Sequence, residues 1–174
     1  MASESAKIKH KIEKYLEGEV IEIGCGDEPV KEGVFGIDGR EFPCVTYKTS
    51  DLYNLPNQLP DKVEFFDCCF SSHVLEHLPD SFRCVLEWSQ FVKKGGYFIL
   101  YLPEGSAYDN FSNPEHFHDT RYEQFLFWFK RTFCGEALNF TGLPYFHPLF
   151  ELIESGLDVG ENKYSFYLVA KKIM

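Results

Sequence analysis

VIEIGCGDEP, residues 20–29, is the stretch on which the fold turns. Four residues suited to a buried strand run straight into two glycines flanking a cysteine. The turn they make either brings backbone close to a cofactor or simply joins two pieces of core. Glycine at both places permits positive φ and an unobstructed approach to the backbone. A dinucleotide would ask for G-x-G-x-x-G, a helix start behind the turn, and an acid about 20 residues on. Here Val30 stands near the third glycine's place, and DEPVKEG puts two acids and a proline where that helix would begin. Asp38 follows Gly24 by only 14 residues. The turn suits a cofactor with a ribose and no phosphate.

Working outward, Ile8, Ile12, Tyr15 and Leu16 fall at i, i+4, i+7 and i+8, one face of a first helix stopped by Gly18. Five strands are expected in EVIEIG, GVFGID, CVTYKTSDL, VEFFDCCFSS and YFILYLP. The fourth is too continuously apolar to have a wet face, as in a central strand covered on both sides. Between the last two, DSFRCVLEWSQFVKKGG is expected as a helix, with Asp80 as N-cap, Lys93 and Lys94 in its last turn and Gly95 past its end. Residues 104–120 lack periodicity and read as a long loop. RYEQFLFWFKRTF reads as an aromatic helix, mostly core but with side chains all round that leave some for a lid, an apolar substrate or a partner. LFELIE and YSFYLVAKKI, separated by SGLDVGENK, read as a final antiparallel pair. Strands at short intervals with a crossover helix specify an open, mostly parallel α/β sheet.

Composition narrows the function. A chain of 174 residues forms one domain able to bury about 70% of its unfolded surface. A net charge of −10, with no Lys/Arg run longer than two, repels a phosphate backbone and argues against general nucleic-acid binding. The six cysteines show no C-x-x-C spacing, which fits reduced thiols better than a disulfide frame or zinc knuckle. The opening is polar and no apolar run approaches the ~20 residues of a membrane span. A soluble, cytoplasmic protein is expected.

Ligands of open α/β sheets bind outside the carboxyl ends of the strands. Gly24–Gly26, Asp38, Asp51 and residues 71–77 occupy those ends. A carboxylate ending the second strand can accept both hydroxyls of a ribose, and Asp38 stands there. VIEIGCG, GVFGID, TSDLYNLP, SSHVLEHLPD and FVKKGGYFILYLP follow one another in an order that resembles the class I S-adenosylmethionine-dependent methyltransferases, most of all a small branch with H-V-L-E-H after the fourth strand. The resemblance implies a Rossmann-like, mostly parallel seven-stranded sheet with a C-terminal antiparallel strand pair and helices on both faces. It divides a single domain, 1–174, into an N-terminal helix (1–17), a cofactor-binding part (18–103), an acceptor-side loop and aromatic helix (104–147) and the terminal strand pair (148–174).

It further implies S-adenosylmethionine as cofactor. Glu22 and the Gly24-Cys25-Gly26 backbone would meet its methionine part, Asp38 and Gly39 its ribose, Ser50-Asp51-Leu52 its adenine, with Ser71, Ser72 and His73 beside the sulfonium. The family's third glycine and full helix after the first strand are missing, so that helix should be short or absent. A base contributes about 10²–10⁴-fold where the acceptor must lose a proton. Histidine is the natural choice at neutral pH, and the order of preference is His73, His116, His118. The acceptor expected is a small molecule or glycan precursor. The alternative is a cofactor-binding protein without catalysis, or one completed by a partner or a second copy through the aromatic helix.

The same residues hold a rival. His73, Glu76 and His77 spell H-x-x-E-H, the pattern of inverted zinc peptidases, which needs both histidines on one helix and a third ligand. It leaves the glycine turn and Asp38 unexplained, so a zinc hydrolase stays a distant alternative. His116, His118 and Asp119 offer a second cluster, but H-x-H in a polar loop is more often solvated than metallated, and no metal ligand is assigned.

Overall fold

The computed structural model describes residues 3–135, 148–160 and 163–174. The end of the expected 104–147 segment, residues 136–147, and part of the SGLDVGENK connection, residues 161–162, lie outside them. Helix α1 (Glu4–Ile12) is capped by the Ser3 side chain, which accepts from the Ala6 amide. Strands β1 (Val20–Ile23), β2 (Phe35–Asp38) and β3 (Val45–Lys48) follow, then the short α2 (Leu55–Gln58), β4 (Phe66–Ser72), a 3-10 turn at Leu75–His77 and α3 (Ser81–Ser89). The long β5 (Val92–Pro103), α4 (Tyr122–Phe133), β6 (Phe150–Gly160) and β7 (Lys163–Lys172) complete the chain.

The seven strands lie in the order β3-β2-β1-β4-β5-β7-β6, and β7 runs opposite to the other six. From β1 the chain winds outward through β2 and β3, then returns to place β4 on the other side of β1. That reversal opens a crevice at the carboxyl ends of β1 and β4. Alternation along the strands builds two cores. Ile21 and Ile23 face α3 and α4, together with Trp88, Phe98, Phe129 and Phe150. Val20, Phe70, Ile99 and Tyr101 face the other way, against Ile8, Ile12 and Leu16 of the first helix and its extension. Helices therefore cover both faces, as expected.

Between β1 and β2 no helix forms: residues 24–34 are turns and bends. Asp80 does cap α3, accepting from Arg83 N at 3.0 Å. The expected C-terminus of that helix is corrected. It stops at Ser89, and Lys93, Lys94 and Gly95 belong to β5. Phe91 and Val92 are both fully buried, and Lys93 pairs with Asp67 of β4 at 2.9 Å. Burial and strand pairing outweigh the helix-ending look of KKGG. The final hairpin is also longer than expected, since residues 155–160 are strand. Gly156 makes room there for the Tyr167 ring, which stands 3.3 Å from where a Cβ would be. The third strand is shorter than expected, with residues 49–52 outside it. Among the described residues no helix is long and apolar enough to cross a membrane.

Candidate active site

The crevice is a cleft of about 910 Å³ whose walls include Gly24, Asp38, Gly39, Ser50, Leu52 and His73. Sequence reasoning named all six. The turn after β1 is shaped by φ of +78° at Gly24 and +59° at Gly26, and by amides of Gly24 and Cys25 that both donate to the Ile37 carbonyl. A Cβ on Gly24 would fall 2.1 Å from Val74 Cγ2, whereas the space before Gly26 is open. Asp38 closes the arrangement from β2: its carboxylate accepts from the amides of Gly26 at 3.0 Å and Arg40 at 2.8 Å.

Other expected residues stand back from the cleft. Glu22 is fully buried, its oxygens accepting from Ser5 Oγ at 2.9 Å and the Val30 amide at 2.7 Å. Burial raises its pKa to about 7 although both donors pull it down. Cys25 packs beneath the turn, 4.0 Å from the Cys44 sulfur, and burial pushes its thiol well up. Asp51 spends its carboxylate on the Tyr53 amide and the Asn54 side chain. Ser71 donates to the Ile23 carbonyl at 2.9 Å, while the buried Ser72 hydroxyl has no partner among the described residues.

The histidines diverge. His73 takes φ of +52°, uncommon for a residue with a Cβ. Its amide donates to the Tyr101 carbonyl, and its Nε2 lies 2.9 Å from Ser165 Oγ and 3.6 Å from Glu4. Rings of Tyr101 and Tyr164 flank it. Burial, with Lys7 adding to it, lowers its pKa to about 3. The resting ring is therefore neutral at pH 7. His118 turns Nε2 to the Leu78 carbonyl at 2.8 Å and faces a separate groove beside Phe82, Phe125 and Trp128. His116 instead meets His77, ring centroids 4.4 Å apart.

The zinc-peptidase geometry does not form. Leu75–His77 is a single 3-10 turn, so His73 and His77 share no helix face. His116, His118 and Asp119 do not gather either. Among the described residues, the group with metal-ligand spacing is Glu76, His77 and His116, each offering an atom within 4.8 Å of the others. Burial raises the pKa of Glu76 to about 8, with Glu4 nearby adding to it. Sequence reasoning missed this trio because its members come from two segments far apart in the chain; the H-x-x-E-H repeat signalled two of them.

Residues 28–100 match the family model described as a methyltransferase domain. No curated protein is matched by the sequence. Solved structures share the architecture at low identity. A SAM-dependent methyltransferase from Archaeoglobus fulgidus superposes with a TM-score of 0.64 at 18% identity, covering 97% of this chain and 92% of that one. Burkholderia thailandensis 1,6-didemethyltoxoflavin-N1-methyltransferase, with bound 1,6-didemethyltoxoflavin and S-adenosylhomocysteine, gives 0.66 at 15%, covering 99% and 80%. The methyltransferase component of a complex with the Trm112 activator from Haloferax volcanii gives 0.64 at 12%, covering 98% and 91%. The chain thus shares its fold with these methyltransferase structures, and its residues 28–100 match a methyltransferase domain.

Proposed function

We propose that the chain transfers the methyl group of S-adenosylmethionine to a small molecule or glycan precursor lodged at the mouth of the cleft. The observation that carries this reading is the clamp between the Gly24–Gly26 turn and Asp38 at the carboxyl ends of adjacent parallel strands. The open space before Gly26 admits a ligand against the backbone. In this reading the Gly24-Cys25-Gly26 backbone lies along the methionine part. Asp38 and Gly39 receive the ribose, Ser50-Asp51-Leu52 border the adenine, and Ser71, Ser72 and His73 form the wall beside the sulfonium. Glu22 acts from behind, holding the Val30 amide and hence the loop that follows the turn.

When bound, the cofactor supplies an electrophilic methyl carbon on sulfur. That carbon would pass to the acceptor's lone pair as the carbon–sulfur bond breaks, with S-adenosylhomocysteine as leaving group and water taking the acceptor's proton. Holding the two partners in line can supply about 7–11 kcal/mol without a special side chain. His73, fixed by Ser165, orients the wall. The small acceptor of the Burkholderia protein supports an acceptor of similar kind here.

A second reading, a chain completed by a partner or a second copy, is favoured by Phe127, which α4 leaves 60% exposed. The activator bound to the Haloferax protein supports it. Calorimetric titration with S-adenosylmethionine and S-adenosylhomocysteine, on the intact protein and on Asp38→Ala, tests the first reading. Micromolar binding that is lost in the variant is expected; no binding by the intact protein refutes it.

A further inference from the structure

The polar groups left over by the cofactor reading gather on one side of the cleft. Glu76 is fully buried, yet among the described residues neither of its carboxylate oxygens has a hydrogen-bond donor. His73 Nδ1 stands 3.5 Å from one of them without making a hydrogen bond. His116 encloses an Nδ1 that also lacks a partner among the described residues. His77 turns Nδ1 to the Glu115 carbonyl at 3.3 Å, which places the proton there and leaves Nε2 with its lone pair. A carboxylate buried without donors is costly unless a cation meets it. Here two imidazole nitrogens face the same space.

We propose that Glu76, His77 and His116 bind one divalent transition-metal ion, whose open position takes the oxygen of a hydroxyl-bearing acceptor. Two imidazoles and one carboxylate suit zinc and its neighbours, and three protein ligands with a free position mark catalytic rather than structural ions. The Glu115 carbonyl behind His77 is the outer partner that a ligating imidazole ordinarily has. The Phe117 amide donates to the Glu76 carbonyl at 2.8 Å, so the loop carrying His116 is locked to the turn carrying the other two. The ligand atoms lie within 4.8 Å of one another, against about 3.4 Å in a tetrahedron with bonds of about 2.1 Å. Binding would draw the three side chains together by that difference. His77 also lines the cleft, so the free position opens toward the acceptor. This acceptor half rests on the methyl-transfer reading; the metal half does not.

The test uses untagged, chelator-treated protein titrated with Zn²⁺, and with Co²⁺ for its visible d–d spectrum. One equivalent is expected to bind. Glu76→Gln and His116→Ala should each weaken binding by more than about 100-fold. His10→Ala, on the exposed face of α1, should leave it unchanged. No stoichiometric binding, or equal binding in both ligand variants, overturns the site. Catechol, added as a hydroxyl-bearing probe, should alter the Co²⁺ spectrum; an unaltered spectrum overturns the acceptor half. S-adenosylhomocysteine titrated into the same samples separates the readings. Metal without cofactor binding sinks the cofactor assignment alone, and cofactor without metal binding sinks the metal site alone.

Discussion

Gly26 N donates to Asp38 Oδ2 at 3.0 Å, so the turn that follows β1 is clamped to the carboxylate that ends β2. The second oxygen of the same carboxylate holds the Arg40 amide at 2.8 Å. Hydrogen bonds to a charged group contribute about 1.5–3 kcal/mol each. Asp38→Ala should therefore lower S-adenosylmethionine affinity by more than about 10-fold. It should also reduce the stability of the cofactor-free protein by a few kcal/mol at most. Asp38→Asn, which keeps one acceptor oxygen, should fall between. Calorimetry and urea unfolding on the three proteins check both effects, and equal affinities would remove Asp38 from the site.

The two glycines of the turn should respond differently to a methyl group. Both hold positive φ, which costs a residue with a Cβ about 1–2 kcal/mol. At Gly24 the added Cβ also falls 2.1 Å from Val74, whereas at Gly26 it meets nothing within 4 Å. Gly24→Ala is expected to lose more stability, because Val74 must move. Gly26→Ala is expected to lose only about 1–2 kcal/mol yet bind S-adenosylmethionine poorly, since its methyl group fills the approach to the backbone. Thermal unfolding paired with titration distinguishes the two; normal binding by Gly26→Ala would mean the cofactor lies elsewhere.

That turn and Asp38 were legible in the sequence because local chemistry determines them. Two glycines end one apolar run and an Asp-Gly pair ends the next, and neither needs a distant partner to be recognised. The boundary between α3 and β5 was not legible. Lysines followed by glycines suit a helix end as well as they suit a strand, and the choice is made by the burial of Phe91 and Val92 and the pairing of Val92 with Phe66 of β4. His116 could be seen as a histidine in a loop, but its neighbours could not be read. Its meeting with His77 depends on the amide of Phe117 finding the carbonyl of Glu76. Glu22 shows the opposite limit: its motif pointed to the cofactor, while the fold spends both oxygens on Ser5 and Val30.

Glu22 also makes stability depend on pH. Burial raises its pKa from 4.5 to about 7, so between those values the folded protein holds a proton that the unfolded chain has released. Stability from this group is then fully present below about pH 4.5 and is lost as pH rises through 7. At 1.36 kcal/mol per unit the loss is on the order of 3 kcal/mol. Glu22→Gln keeps an acceptor for Val30 and a donor for Ser5 and never ionises. The variant should therefore show a flatter profile over that window and exceed the parent in stability at pH 8. Urea unfolding from pH 4 to 8 checks it; parallel profiles would show that Glu22 ionises freely.

Asp158 supplies the corresponding test for the first helix. Its Oδ2 accepts from the Tyr101 hydroxyl at 3.0 Å, and its Oδ1 lies 2.9 Å from Lys11 Nζ and 3.2 Å from Lys163 Nζ. One buried carboxylate thereby joins β5, β6, β7 and α1. Removing one partner of a buried pair costs about 3–5 kcal/mol. Both lysines keep some contact with water, with side chains 28% and 30% exposed, so Asp158→Ala should lose about 3 kcal/mol, the low end of that range. Asp158→Asn keeps the bond to Tyr101 and should lose less. Salt distinguishes this pair from an ordinary surface one. Lys48 and Glu41, 3.2 Å apart and open to solvent, should contribute almost nothing, and nothing at all in molar salt. The Asp158→Ala deficit should persist in 1 M NaCl, where the Debye length is about 3 Å, because the partners are held within the fold rather than across water. A deficit that vanished with salt would place Asp158 at the surface and leave α1 held by its apolar face alone.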